Sequence, residues 1–384
     1  MNIAIVGGGP AGLYFALLMK RADPRHEIHV IEQDPAGATY GWGVVFSERA
    51  LGFLADADPE SYREIEARLE GWSDQAIVHR GERVAIDGLG FSGIARLALL
   101  GVLQEQCRRR GVVLELGARC EDPAALADSD LLVGADGAGS RVRERYREVF
   151  APTVTVLSNR YIWYGTAQPF DCLTLTFRED AHGVFVAHHY RHAPGASTFV
   201  VECDADTWAR AGFEGMSEEA TRRYCEAVFA PDLGGHPLLS NRSAWLRFRM
   251  VTNQRWHNNR MVLLGDALRT VHFSIGSGTR TALEDAIALR DALVGRGASR
   301  AAVPAALADF EAARRPGAER LLDVARESGR WYEGFREAMR LDPLPFAYSY
   351  LTRGGRITPE RLRARSPRFA AAYAAHAAAK GARG

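Results

Sequence analysis

A glycine-rich turn between an apolar strand and a helix constrains this chain more than any other feature. After the apolar residues 2–6, Gly7, Gly9 and Gly12 follow the pattern G-x-G-x-x-G. The first glycine permits a tight turn, the second lets the backbone approach a pyrophosphate, and the third lets the helix pack on the sheet. Glu32 ends the next apolar run, where a carboxylate can accept hydrogen bonds from an adenosine ribose. The sequence therefore predicts a βαβ unit that binds a dinucleotide.

The composition is that of an ordinary globular protein. Its 384 residues are 47% hydrophobic and 25% charged, and a net charge of +1 predicts no affinity for nucleic acid. No run approaches the roughly 18 apolar residues of a membrane span, and the first apolar run has neither a basic leader nor a cleavage site. The five cysteines form no CxxC pair, which argues against a metal site or a disulfide framework. We expect a cytoplasmic monomer or homodimer with no membrane or nucleic-acid partner.

The order of the predicted elements indicates an α/β fold in two parts. Short buried strands at 112–116, 131–134 and 261–264 resemble those of the opening unit, whereas strand-like segments in residues 153–254 predict a mainly antiparallel sheet. A helix is predicted at 94–110, and the alanine-rich end of the chain is expected to be weakly packed. The predicted nucleotide-binding domain comprises residues 1–72, 93–152 and 255–330, the inserted sheet domain 73–92 and 153–254, and the helical C-terminal segment 331–384.

Two further turns follow buried strands later in the chain. Asp136 and Gly137 come after the strand at 131–134, and Gly265 and Asp266 come after the strand at 261–264. In the Gly-Asp turn, the carboxylate of Asp266 can accept a hydrogen bond from a ribityl hydroxyl. The glycines that follow it open a predicted helix, whose N-terminus favours a ring system that gains negative charge. Taken alone, each of these two turns could be an ordinary chain reversal that binds no ligand.

Together the three turns resemble those of the flavin-dependent aromatic hydroxylases with the p-hydroxybenzoate hydroxylase fold. The resemblance spans nearly the whole chain. It implies a Rossmann-like FAD-binding domain, an inserted antiparallel-sheet substrate domain and a helical C-terminus. It assigns Asp266 to the FAD ribityl chain, Asp136 to both FAD and the nicotinamide cofactor, and Arg96 to FAD. The cofactor-binding residues that it implies are Gly7, Gly9, Ala11, Gly12, Glu32, Arg96, Asp136, Gly265, Asp266, Gly276, Gly278 and Thr279.

Three segments narrow the resemblance to one subgroup. Residues 40–47, 159–166 and 272–279 are similar to those of enzymes that hydroxylate aromatic acyl-CoA thioesters, namely salicylyl-CoA 5-hydroxylases and the N-terminal halves of anthraniloyl-CoA monooxygenases. The same segments resemble the indole hydroxylase of violacein biosynthesis. The sequence departs from the common pattern where Val44 replaces an arginine, and Arg49 or Arg96 are the candidates to compensate.

The chemistry of the family sets the expected reaction. The resemblance implies that NADH or NADPH reduces FAD, that reduced FAD forms a C4a-hydroperoxide with O2, and that this species hydroxylates the aromatic ring. In a salicylyl substrate the hydroxyl group directs electron density to C5, so the first expectation is conversion of salicylyl-CoA to gentisyl-CoA. The alternative is hydroxylation of an indole derived from tryptophan. A halogenase is disfavoured, because the W-x-W-x-I-P segment is absent from the sequence. A flavin-binding protein without enzymatic activity is a further alternative.

His272 is the predicted catalytic residue, because it precedes the glycine turn that should face the flavin. The alternative is a histidine that packs beneath the ring. His188 and His189 alternate in a predicted strand, so one is expected to face the substrate cavity and the other to face outward, and either a catalytic or a structural role is open.

Two further groups of side chains are candidates for contacts with a thioester substrate. Tyr161, Trp163 and Tyr164 could line an aromatic pocket or form ordinary core. Arg160 and Arg178 could bind CoA phosphates, because guanidinium groups bind phosphate oxygens in pairs, or they could be exposed without a role.

Overall fold

The computed structural model describes residues 1–38, 40–47 and 51–381. The strands are β1 Asn2–Val6, β2 Glu27–Glu32, β3 Gly43–Ser47, β4 Glu70–Trp72, β5 Gln75–His79, β6 Glu82–Ile86, β7 Phe91–Ala95, β8 Val113–Leu116, β9 Leu131–Gly134, β10 Pro152–Thr166, β11 Leu173–Asp180, β12 Gly183–Ala193, β13 Ala196–Cys203, β14 Leu238–Leu239, β15 Leu246–Asn253, β16 His257–Asn258 and β17 Met261–Leu263. The helices are α1 Pro10–Ala22, α2 Gly52–Ala57, α3 Pro59–Glu66, α4 Arg96–Arg109, α5 Arg141–Arg145, α6 Arg147–Phe150, α7 Ala205–Arg210, α8 Glu218–Val228, α9 Ala230–Leu233, α10 Gly265–Leu268, α11 Gly278–Gly295, α12 Val303–Glu333, α13 Phe335–Ala338, α14 Pro343–Thr352, α15 Pro359–Arg365 and α16 Pro367–Gly381. The α/β prediction is confirmed.

The first sheet is built on the opening βαβ unit and has the order β16-β17-β9-β1-β2-β8. Its strands are parallel except at the β16 edge. The strand interiors are apolar, as at Ile3, Ile5 and Val30, and helix α1 packs against both α4 and α11. Strand β17 joins β9 although 126 residues separate Gly134 from Met261 in the chain. All three turns identified in the sequence therefore meet at the carboxyl edge of one sheet.

The second sheet has the order β14-β10-β13-β12-β11-β5-β6, and β15 also pairs with β10. It is mainly antiparallel as predicted, with one parallel pair between β11 and β5. A small antiparallel sheet, β3-β7-β4, connects to it through contacts between β7 and β12. The strands of the second sheet come from residues 75–86 and 152–253, which is compatible with the proposed discontinuous domains.

Two predicted elements differ from the structure. The helix predicted from residue 94 begins at Arg96, because Ile94 is buried in β7 and pairs with Val44 across the small sheet. The alanine-rich C-terminus is not weakly packed at its start. Helix α16 buries Phe369, whose N–H donates to Asp87, and stacks Tyr373 on Tyr348 with ring centroids 3.9 Å apart. Two anchored aromatic rings thus offset the weak packing of alanine.

Arg49 lies outside the described residues. Within the described part of the chain, no helix has the length and apolarity needed to cross a bilayer.

Candidate active site

A cavity of about 1030 Å³ lies between the carboxyl edge of the first sheet and one face of the second. It is lined by the three turns, by the strands β11, β12 and β13, and by the segments that follow α10 and α14. Among the predicted cofactor residues, the lining includes Gly7, Gly9, Ala11, Glu32, Arg96, Asp136, Gly265, Asp266, Gly276, Gly278 and Thr279. Gly12 lies behind the lining, where a Cβ atom would come within 2.1 Å of the Gly7 carbonyl oxygen. The fold thus brings the predicted residues to one place.

The glycine turn has the geometry of a pyrophosphate cradle. Gly7 has φ +108°, and a Cβ atom there would lie 2.3 Å from the Ala135 carbonyl oxygen. Gly9 faces open cavity, since a Cβ atom there would meet nothing within 4 Å. Gly9 also begins α1 without a side-chain cap, which leaves N–H groups at the helix start for an anion. Glu32 accepts a hydrogen bond of 2.6 Å from the Gly8 N–H, so its carboxylate borders the same space.

The opposite side of this region carries charge that suits a flavin ring and its ribityl chain. Asp266 lines the cavity, and its side chain is exposed there. Burial raises its pKa, while Arg96 and Arg269 oppose that shift. Helix α11 begins at Gly278 with no side-chain cap and no acidic residue in its first turn, so its positive end faces the cavity. Together with the cradle, this donor set fits FAD.

Asp136 has a second role that its motif did not reveal. Its carboxylate accepts hydrogen bonds from the Ser140 hydroxyl at 2.5 Å and from the Arg141 N–H at 2.6 Å, so it holds the start of α5. The Arg143 guanidinium then donates to the Ala267 carbonyl at 2.9 Å. The Asp-Gly turn is therefore linked directly to the Gly-Asp turn.

His272 is not among the residues that line the cavity. Its ring is buried against Phe248, Phe273 and Tyr332, and its Nδ1 lies 2.7 Å from the Ser274 hydroxyl. Burial lowers the pKa of His272 to about 4. This position favours the packing alternative over the catalytic role, because a catalytic group must reach the reacting atoms.

His188 is the histidine that does line the cavity. Its Nε2 lies 3.5 Å from Oε2 of Glu202, which is 2% exposed, and neither atom has a hydrogen-bond partner in the described part of the chain. The Asn159 side chain donates to the other Glu202 oxygen at 2.8 Å and holds it in place. The expected alternation of His188 and His189 is confirmed. His189 does not face outward, however, because its face of the sheet is covered and its ring stacks on Phe199.

Aromatic side chains surround His188. Tyr161 and Trp163 line the cavity, whereas Tyr164 points to the other face of β10 and is fully buried in core. The Tyr161 and Phe273 rings lie 5.0 Å apart. Burial raises the pKa of Tyr161 above its usual range. An apolar aromatic wall beside a histidine–carboxylate pair suits a flat ring that carries one ionisable group.

The two arginines proposed for CoA phosphates lie elsewhere. Arg160 stacks on Trp208 at 4.0 Å, and Arg178 forms an ion pair with Asp232 at 2.8 Å. Neither lines the cavity. The arginines that do so near the C-terminus are Arg353, Arg356 and Arg365. Their segment is conspicuously rich in arginine, which is the signal that sequence reasoning overlooked.

The geometry of Gly9 gives a test of the FAD site that separates cofactor binding from folding. Its φ of −77° suits any residue, so Gly9→Val is expected to leave the unfolding of the apoprotein unchanged. The added methyl groups would occupy the cradle and weaken FAD binding about 10- to 100-fold, the cost of overpacking by about 1–3 kcal/mol. Titration of the apoprotein with FAD, followed by flavin fluorescence, measures this. Gly101→Ala, in open space on α4, is the control, and equal FAD affinity of Gly9→Val and wild type would contradict the placement.

Comparison with known proteins places this geometry in a family. The sequence matches a family described as an FAD binding domain over residues 99–325, a range longer than half the chain. A salicyloyl-CoA 5-hydroxylase of Streptomyces sp. is 42% identical over 363 residues, which cover 92% of this chain and 70% of that protein. A protodeoxyviolaceinate monooxygenase of Chromobacterium violaceum is 37% identical over 369 residues, which cover 94% of this chain and 96% of that protein.

A solved structure agrees at the level of the fold. A mutant of 2-methyl-3-hydroxypyridine-5-carboxylic acid oxygenase matches with a TM-score of 0.70 and 17% identity, and the match covers 95% of this chain and 96% of that one. The predicted fold, with its FAD-binding domain, mixed sheets and helical C-terminus, is confirmed. The chain belongs to the FAD-dependent aromatic monooxygenases and is an enzyme that binds FAD.

Proposed function

We propose that this enzyme hydroxylates the ring of an ortho-hydroxylated benzoyl-CoA thioester, with salicylyl-CoA as the first candidate and gentisyl-CoA as its product. NADH or NADPH, the reductants typical of the family, would reduce the flavin. The observation that carries the proposal is the position of His188 and Glu202 among aromatic walls, in the same cavity as the FAD residues. The 42% identity to a salicyloyl-CoA 5-hydroxylase supports the choice of substrate.

The chain's own residues would prepare the ring for attack. Bound FAD, once reduced, supplies the activation of O2. His188 would accept the proton of the ring hydroxyl on the nitrogen that is turned away from Glu202, which increases electron density at the para carbon. The negative charge of Glu202 would stabilise the imidazolium that forms. Tyr161, Trp163 and Phe273 would hold the ring and exclude water.

A second candidate is an indole hydroxylase acting on a compound derived from tryptophan. The observation that favours it is the match to the protodeoxyviolaceinate monooxygenase, which covers nearly the whole of that protein, whereas the match to the salicyloyl-CoA 5-hydroxylase covers 70% of its length. The two candidates differ in the ionisable group that they present to His188, since an indole has no acidic hydroxyl.

Oxidation of NADH and of NADPH, followed by absorbance with four aromatic compounds, distinguishes the candidates. Salicylyl-CoA is expected to stimulate oxidation and to yield an equimolar hydroxylated thioester, whereas free salicylate, anthraniloyl-CoA and tryptophan stimulate less. Equal stimulation by free salicylate would contradict the thioester proposal. Stimulation by indole compounds alone would select the second candidate, and bound FAD with no stimulation by any compound would favour a non-enzymatic flavoprotein.

We also propose the domain boundaries given in the sequence analysis and a cytoplasmic location. The free thiols of all five cysteines support a reducing compartment.

A further inference from the structure

An arginine-rich segment follows α14 at the rim of the cavity. Residues 353–368 contain six arginines and one glutamate. Five of these arginines are exposed, and they lie on the loop after α14 and on helices α15 and α16. The side of the cavity that carries the glycine turn is formed by other elements, namely β1, α1 and β2. The cavity therefore has cationic side chains at a place separate from the FAD pyrophosphate cradle.

Two of these arginines line the cavity without a carboxylate partner. Arg356 donates to the Arg320 carbonyl oxygen, and Arg361 donates to the Arg356 carbonyl at 3.1 Å, so backbone oxygens hold this part of the segment. Among the described residues, neither Arg356 nor Arg365 forms an ion pair. The arginine rim comprises Arg356 and Arg365, which line the cavity, together with Arg361 on the same segment.

Arg353 lies in the same segment, and several protein groups hold its guanidinium in place. Its guanidinium donates to the Ser328 hydroxyl at 2.9 Å and to the Ser274 carbonyl at 2.7 Å, and it stacks on Tyr350 at 3.8 Å. These contacts fix the beginning of the segment to the turn that borders the flavin region. Arg353 is thus structural, whereas Arg356 and Arg361 each donate to one backbone carbonyl, and in the described part of the chain none of Arg356, Arg361 and Arg365 has a carboxylate partner.

Guanidinium groups without a carboxylate partner at the edge of the cavity favour a ligand that carries phosphate outside the cavity and an aromatic ring inside it. Arginine binds phosphate oxygens through paired N–H donors, and a cluster binds several phosphate groups at once. Free aromatic acids and indoles carry no phosphate group that the rim could bind. We propose that the arginine rim binds the phosphate groups of the CoA part of the substrate, with Arg356 and Arg365 as the principal contacts. This inference rests on the function proposed above.

Equilibrium binding tests the rim without relying on turnover. Benzoyl-CoA lacks the ring hydroxyl, so it serves as an unreactive probe whose binding is followed by the flavin absorbance of the holoenzyme. Arg356→Ala and Arg365→Ala are each expected to raise its Kd about tenfold, and the double variant about 100-fold. Binding of the N-acetylcysteamine thioester of benzoate, which has no phosphate, is expected to stay unchanged in all variants. Arg326→Ala, which removes an exposed arginine paired with Asp323 on α12, is the matched control.

The results of this experiment distinguish failure of the arginine rim from failure of the proposed function. Loss of benzoyl-CoA affinity in the double variant, at unchanged FAD content and melting temperature, supports the rim. Wild-type affinity in the double variant overturns it, and so does tighter binding of the benzoyl group on a phosphopantetheine carrier protein than on CoA. If wild-type enzyme hydroxylates salicylyl-CoA but the rim variants bind benzoyl-CoA normally, only this inference fails. If no CoA thioester binds or stimulates the wild type, the proposed function itself fails.

Discussion

Replacement of His188 with glutamine is expected to lower the rate of ring hydroxylation at least about 100-fold while FAD content stays at the wild-type level. His188 lines the cavity and faces Glu202, so glutamine keeps a polar side chain there but removes the proton acceptor. The substrate would still bind and flavin reduction would continue. More of the reducing equivalents would then end as hydrogen peroxide, because the ring is no longer activated when reduced FAD reacts with O2.

Two readouts separate this role from a merely structural one. The rate of His188→Gln is expected to recover as the pH rises, because a phenol with an ordinary pKa of about 10 then ionises without help. A substrate with a more acidic ring hydroxyl is expected to restore the rate at neutral pH. The titratable groups that contact or interact with His188 are Glu202, His189, His272 and Tyr332.

Glu202 is a positioning residue in this scheme, and Glu202→Gln is expected to reduce the rate less than loss of the imidazole. The glutamine would keep a polar side chain beside His188 but lose the negative charge of the carboxylate. His182→Gln, at an exposed site on another part of the second sheet, is the control. A normal coupled rate in His188→Gln would show that the imidazole does not accept the substrate proton.

The largest expected effect on stability comes from Asp285, which lies on α11. Its carboxylate is 1% exposed, accepts from Arg269 at 2.9 Å and accepts from Arg314 at 2.9 Å. Asp285→Asn would leave the buried Arg269 guanidinium without its counter-charge, which costs about 3–5 kcal/mol for pairs of this kind. Arg269 directly follows α10, the helix that contains Asp266, so the same change is expected to weaken FAD binding.

Urea unfolding of the apoprotein and the FAD-loaded enzyme measures both consequences. The unfolding midpoint of apo Asp285→Asn is expected to fall clearly, and added FAD is expected to restore less stability than in the wild type. Asp309→Asn removes an exposed carboxylate paired with Arg296 and is expected to leave the midpoint unchanged. If Asp285→Asn unfolded like the wild type, the buried charge cluster would contribute no net stability.

Features that depend on neighbouring residues were predictable from the sequence. Gly7 and Gly9 define a turn whose φ values and open space follow from the absence of side chains, and the turn is local to one strand and one helix. The alternation of His188 and His189 follows from the period of two in a strand. Sequence reasoning could not say what covers the second face, so it expected one of the two histidines to face outward, whereas Phe170 and Phe199 pack against His189.

Features that depend on distant residues were not predictable. His272 was the predicted catalytic residue because it precedes the glycine turn, yet its ring packs against Tyr332, which lies 60 residues further along the chain. Glu202 lies on β13 and His188 on β12, and only the pairing of these strands brings the carboxylate within 3.5 Å of the imidazole. Arg178 was predicted as a candidate phosphate ligand, but its guanidinium forms an ion pair with Asp232.

By itself, the sequence determined that a βαβ unit binds a dinucleotide, because glycine conformation and strand-to-helix spacing are local properties, and the resemblance to the flavin hydroxylases identified that dinucleotide as FAD. It also determined the family, since three short turns in a given order suffice. Only the tertiary structure decided which histidine reaches the cavity, which arginines at its edge have no carboxylate partner and which carboxylates are buried beside arginines. Those outcomes depend on how strands far apart in the chain pair and on what covers each face, and no local pattern encodes either.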